Sequence, residues 1–325
     1  MRPRHAVLIL AALAPFTGLA DAAPESDLTK LRARQSVVAA DENDWWGGWS
    51  DKYYTNGMRF SWTLPDIFTR EEGDSALRRV YFSVGQEMYT PKEKDTRNPA
   101  ADDHPYSGLS YGSIGYSFEK NATLWSVEGR FGIIGPDSLT KETQRMWHQT
   151  IDSPIPNGWD HQLPNEVAAN LVLEHRRRIA LVGATDAGWA CDMIPRAAFL
   201  VGNIRTEAVL GAQFRAGMNL PATFGTAPIR QSTAYSTPAT VTGTAVYGYI
   251  DLQAEAVAFN YALDGTLFND STSVKTIPWV AQATVGFAIE WRGVKLSIFQ
   301  SIRTEEFRGQ DHAYVFGGGS ATFCF

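Results

Sequence analysis

Apolar and polar residues alternate with a period of two along much of the chain. Met58, Phe60, Trp62 and Leu64 alternate with Gly57, Arg59, Ser61 and Thr63, the spacing that sends successive side chains to opposite faces of a strand. A looser version covers 80–89. A hairpin is predicted from 106–118 and 123–133, and further strands from 167–180, 197–201 and 207–218. The pattern is strongest near the C-terminus. There Ala283, Val285, Phe287, Ile289 and Trp291 alternate with Gln282, Thr284, Gly286, Ala288 and Glu290; beyond an Arg292-Gly293 turn, Val294, Leu296 and Ile298 alternate with Lys295, Ser297 and Phe299. A charged residue opposite an apolar face belongs in a lumen or in water, not in a core. The last strand, 314–325, ends on Phe325 with Phe323 on the same face, a finish typical of outer-membrane barrels.

The predicted fold is therefore all-β, a twelve-stranded antiparallel transmembrane β-barrel with a short helical insert. About eleven or twelve strands can be counted, and single-chain bacterial barrels use even numbers. A soluble periplasmic β-sandwich is the competing arrangement. Arg2 and Arg4, an apolar run over 6–19 and the small-x-small site Ala20-Asp21-Ala22 predict a signal peptide over 1–22. Residues 23–40 then form a polar leader and 41–325 the barrel. Beyond the signal, no apolar run reaches the roughly 18 residues of a spanning helix, so a membrane form must be a closed barrel. Such a barrel needs no partner to satisfy its backbone, and a monomer is expected.

Composition narrows the functions. A net charge of −6 supplies no basic field for nucleic acid, and 10 Trp, 12 Tyr, 17 Phe and 28 Gly suit neither a disordered chain nor a helical membrane protein. The two cysteines, Cys191 and Cys324, make no disulfide framework. The basic run 175–178 reads as a solvated turn and 219–238 as a loop of small polar residues. Acidic residues 41–44 precede Trp45, Trp46 and Trp49, either as a surface turn with interfacial tryptophans or as part of a site.

One stretch breaks the alternation. Residues 135–166 begin at Gly135-Pro136, run through a polar helix-compatible segment and end at a second break over 155–160. Gln144 and His148 lie one helical turn apart on one face. A histidine beside Trp147 has a structural reading, but its near-neutral pKa also makes it a natural proton acceptor. Zinc-ligand spacings, a GxSxG elbow, a Walker loop and a dinucleotide fingerprint are all missing. Scattered carboxylates, here Asp152, Asp160 and Glu166 with Asp44 from elsewhere, would suit calcium instead. The economical hydrolytic scheme is a histidine base activating water while a hard cation polarises an ester carbonyl.

Several motifs occur in the order seen in the outer-membrane lipid A 3′-O-deacylases, and the chain resembles that family from about Asn43 to Phe325. The motifs are END at 42–44, YYTNG at 53–57, MYTP at 88–91, DHPYSG at 103–108, the Gln144/His148 pair, GWD at 158–160 with Gln162, and RTEEF at 303–307. The resemblance implies a twelve-stranded barrel in the outer membrane of a Gram-negative bacterium, with a calcium-dependent site that hydrolyses the 3′ acyloxyacyl ester of lipid A. It makes His148 the general base, Asn43 and Asp44 the family's Asn-Asp pair, Thr55 its hydroxyl residue, and Gln144 its glutamine. Arg97 becomes a basic group for phosphate or oxyanion. The metal ligands it suggests are Asp44 and Thr55, with Asp152 standing in for a missing glutamate. Thr96 replaces a family lysine and Pro154 that glutamate, which leaves open a non-catalytic barrel serving as a pore or structural protein. A glycerophospholipid substrate is the third reading.

Overall fold

Strand by strand, polar side chains point inward and apolar ones outward. In β2 (Tyr53–Thr63) Arg59 and Ser61 are 5% and 6% exposed, whereas Phe60 and Trp62 are 56% and 46% exposed. The inversion of the usual core pattern is that of a barrel whose outer face meets lipid. The computed structural model describes residues 32–48, 52–68, 74–184, 187–226, 228–235 and 243–325. The signal-peptide reading and Trp49 fall outside them.

The remaining strands are β1 (Ser36–Asn43), β3 (Leu77–Thr90), β4 (Ser107–Lys120), β5 (Thr123–Ile134), β6 (Glu166–Arg177), β7 (Ile179–Ala184), β8 (Ala187–Gly202), β9 (Arg205–Met218), β10 (Thr244–Asn260), β11 (Trp279–Trp291), β12 (Val294–Arg303) and β13 (Tyr314–Cys324). Neighbours pair antiparallel, and β1 pairs with β13 from Ser36↔Cys324 to Asn43↔Gly317, closing the sheet. Strands β6 and β7 pair with successive parts of β8 on either side of Arg178, so they are two halves of one stave. Twelve staves result, and the all-β barrel expected from the alternation is the fold observed. The barrel starts at Ser36, five residues before the boundary read from the sequence. Strand β8 starts ten residues before the 197–201 segment, because its lumenal Asp192 and Arg196 interrupt the apolar pattern.

Short turns at 121–122 and 292–293 lie at one end, with both barrel termini; longer loops at 91–106, 135–165 and 261–278 lie at the other. The short α-helices that follow strands among the described residues are α1 (Trp45–Gly48), α2 (Thr140–Thr150) and α3 (Tyr261–Asp264). Cys191 and Cys324 form no disulfide.

Two segments differ from their sequence reading. The basic run 175–178 is part of the wall: His175 faces out, its ring 4.2 Å from that of Trp125, and Arg176 is buried in the lumen 2.9 Å from Glu174. Alternation, not solvation, sets each residue's environment there. The 219–238 loop supplies the second difference, since its part 228–235 turns back into the lumen, where it has no regular structure of its own. Its backbone is satisfied by lumenal side chains. Ile229 N donates to Glu42 (2.9 Å), Ala234 N to Glu128 (2.6 Å) and Thr233 N to Glu174 (3.2 Å), while Arg59 and Arg130 donate to the carbonyls of Ile229 and Arg230. Buried backbone groups need such partners, and the buried charges need the segment in turn.

The filled lumen predicts that the protein forms no stable open channel in planar bilayers. Replacing 228–235 by a Gly/Ser segment of equal length should open a steady conductance, and a conductance in the unaltered protein would contradict this reading.

Candidate active site

Beyond the lumen, the tops of β1 to β4 carry polar residues on their outward side. Asn43 ends β1, and its Oδ1 accepts from Trp45 N at 2.7 Å, which fixes the entry to α1. Asp44 follows, 1% exposed. Its carboxylate accepts from Lys52 N at 2.5 Å, and its own N–H donates to Thr55 O at 3.3 Å. Strand β2 opens with Tyr53 at φ +63 and a bulge between Tyr54 and Asn56. A bulky residue in this region is strained and needs support; the Tyr53 ring packs edge-on against Phe307 and Tyr314, at 5.5 and 5.8 Å. The bulge holds Thr55 with its Oγ1 2.7 Å from Thr90 Oγ1.

The helical insert forms the second wall. It turns at Gly135 (φ +93) and again at Leu139 (φ +59) before α2 begins. The first residues of α2 lie against the outward face of β4. A Cβ on Gly108 would come within 1.7 Å of Thr140 Oγ1, so only glycine lets helix and wall meet there. Gln86 Nε2 and Ser110 Oγ donate to Ser138 O at 3.0 and 2.7 Å. Gln144 and His148 share one face of α2, as their one-turn spacing predicted, and that face, with Thr140, is buried. Gln144 Oε1 accepts from Trp159 Nε1 at 2.6 Å, and Trp159 packs on Tyr106 with ring centroids 4.9 Å apart.

His148 is held by Pro154. Its Nδ1 lies 2.6 Å from Pro154 O, and a carbonyl can only accept, so Nδ1 carries the proton. In the neutral ring Nε2 is then the basic nitrogen. At 154, where the resemblance implied a carboxylate, the main-chain carbonyl orients the histidine. Sequence reasoning missed this contact because a carbonyl leaves no signature in residue type.

The 91–106 loop links the walls. It leaves β3 at Thr90, the partner of Thr55, and meets the insert where Asn157 N donates to Lys94 O (3.1 Å) and Tyr106 OH to Lys94 O (2.8 Å). Gly158 fits against the Tyr106 ring and Thr96 O. Lys141, 2.7 Å away, holds the Asp160 carboxyl below its usual range, and Arg97, exposed on this loop, adds a smaller pull. Asp152 is exposed on the turn after α2, at φ +55. Among the described residues, no three His, Cys, Asp or Glu side chains converge as a metal site. Asp44 and Thr55 are joined through their main chains, Asp44 N–H to Thr55 O at 3.3 Å, and their side chains offer oxygens, which suit a hard cation rather than zinc.

A closed barrel with apolar residues outward, a filled lumen and a histidine-bearing insert over its rim defines the class as an outer-membrane-type β-barrel. Residues 6–325 match the family described as Outer membrane protein LpxR, and the chain belongs to that family; it is an outer-membrane protein. Among solved structures it is similar to LpxR from Salmonella typhimurium, with a TM-score of 0.74 at 20% identity, over 89% of this chain and 99% of that one. The β domain of the Bordetella autotransporter BrkA shares 8% identity at a TM-score of 0.43, covering 90% and 99% of the two chains. A search of curated proteins matched nothing.

His104 at the end of the linking loop gives a pH test. Burial pushes its pKa down to about 4; its Nδ1 is 2.8 Å from Pro105 O and its ring stacks on Tyr89 at 5.5 Å. The folded state resists a proton that the unfolded chain takes up near 6.5, so this contribution is complete above about pH 6.5 and is lost as pH falls towards 4. Melting temperature in detergent should fall across that window, and His104→Phe should flatten the fall; an equal slope in both proteins would refute the assignment.

Proposed function

We propose that the protein is a lipid A 3′-O-deacylase, a hydrolase of the acyl ester at the 3′ position of lipid A. The observation that carries this reading is the His148 Nδ1 to Pro154 O contact, because it puts the proton of the neutral ring on Nδ1 and makes Nε2 the nitrogen that would take one from water. Family membership supplies the substrate class, and placement of the insert on the outer side of the wall gives lipid in the outer leaflet access without entry into the lumen.

In this scheme water bound at Nε2 of His148 loses a proton as its oxygen attacks the ester carbonyl. The tetrahedral intermediate collapses with the sugar oxygen as leaving group, and the imidazolium returns the proton to it. Gln144, fixed by Trp159, keeps the face of α2 that carries His148 in place. Arg97, exposed on the adjoining loop, is the charge offered to a lipid A phosphate. Calcium held by Asp44 and Thr55, with Asp152 as a further carboxylate, would supply Lewis-acid polarisation of the ester carbonyl. Asn43 shapes the turn that presents Asp44. The filled lumen argues against the pore alternative, and no second chain is required.

The test is mass spectrometry of lipid A incubated with purified protein. Loss of the 3′ acyloxyacyl group is expected with calcium and not with chelator, and His148→Ala should lower the rate by about 100-fold or more. Unchanged lipid A, or a His148→Ala variant as active as the parent, refutes the reading. Release of fatty acid from glycerophospholipid alone would reassign the substrate.

A further inference from the structure

Directly below the insert, the outward face of β2 to β5 carries a groove of about 570 Å³, within the range of pockets that hold small ligands. Pairing register aligns Phe60, Val84, Gly112 and Phe131 in a row across four strands. Phe60, Val84 and Phe131 are 56%, 58% and 63% exposed and stand out as walls. Gly112 has no side chain and forms the floor between them. A Cβ there would meet nothing closer than Ser83 O at 3.9 Å, so the notch is open space rather than a packing necessity. Met58 and Ile133 continue the lining one row higher.

The upper lip of the groove is also the seat of the insert. Gln86 and Ser110, which line the groove, are the residues that donate to Ser138 O just before α2. Thr140 rests on Gly108, and His148 lies eight residues along the helix, roughly 12 Å at 1.5 Å per residue. The groove is thus apolar in its membrane part and polar at its upper end, where it meets the seat of α2. An acyl ester has the same order of parts, with its chain in the hydrocarbon layer and its carbonyl at the headgroup level.

We infer that this groove binds the acyl chain of the ester on which His148 acts, and that Gly112 sets the chain length accepted. The inference rests on the hydrolase reading. Continuity with the seat of α2 sets the groove beside the helix that carries His148, which makes the substrate's own chain its occupant.

Gly112→Phe fills the notch from the lipid side, and Gly112→Ala fills it partly. With folding checked by the heat-dependent gel shift of intact barrels, each variant is given hexa-acylated lipid A and an analogue with the same headgroup and short chains. The short-to-long ratio of kcat/KM should rise by about tenfold or more in Gly112→Phe and by less in Gly112→Ala. A ratio unchanged in a folded Gly112→Phe protein overturns the groove and leaves the hydrolase standing. If the parent protein cleaves neither substrate, the hydrolase reading fails, and the groove is judged by native mass spectrometry of His148→Ala protein with lipid A. Retention of lipid A that is lost on adding Gly112→Phe supports the site; equal retention, or retention of phospholipid in its place, overturns it.

Discussion

Closure of the sheet between β1 and β13 is the constraint from which the other features follow. A backbone donor or acceptor left open in hydrocarbon costs several kcal/mol, so the first and last strands must meet, and β1 pairs with β13 along its whole length from Ser36 to Asn43. Once the sheet is closed, apolar residues face lipid and polar ones are confined to the lumen. The lumen is too crowded with charge to stay dry without pairing. Arg215 with Asp192, Arg303 with Glu255 and Arg196 with Asp251 pair within it, and the inward-folded segment 228–235 takes up further donors and acceptors. Removing one member of a buried pair costs about 3–5 kcal/mol, which makes the interior a rigid support and leaves the outer rim for function.

That rim differs physically from the wall. Its backbone departs from regular pairing at Tyr53 and the adjoining bulge, and its loops pack through a few specific contacts: Gly108 under Thr140, Gly158 under Tyr106, and Trp159 on Gln144. Single hydrogen bonds of this kind contribute about 1 kcal/mol each. Positioning of the insert therefore depends on several contacts acting together, and the loop from Thr90 to Tyr106 joins the Asp44 side to the His148 side.

The wall was readable in the sequence because a period of two is written directly in residue type. Val285, Phe287 and Ile289 against Thr284 and Glu290 declared both the strand and its lipid face. The one-turn spacing of Gln144 and His148 likewise foretold a shared face. Features set by contacts distant along the chain were not readable. Arg176 looks like part of a solvated cluster until Glu174 and the carbonyl of Phe224 surround it. The 228–235 segment, rich in small polar residues, looks like an ordinary loop because its partners lie on β1, β2, β5 and β6. Pro154 appeared as a missing carboxylate, yet its carbonyl holds His148. The glycine at 108 was the one local signal of the helix seat, an outward strand position with no side chain.

The central claim is that His148 activates water against an acyl ester of lipid A. Reaction in heavy-oxygen water, followed by mass spectrometry of both products, tests it most directly. Attack by water on the carbonyl places the heavy oxygen in the released fatty acid and leaves the sugar hydroxyl unlabelled. No release of acid, or release of unlabelled acid, would contradict the account.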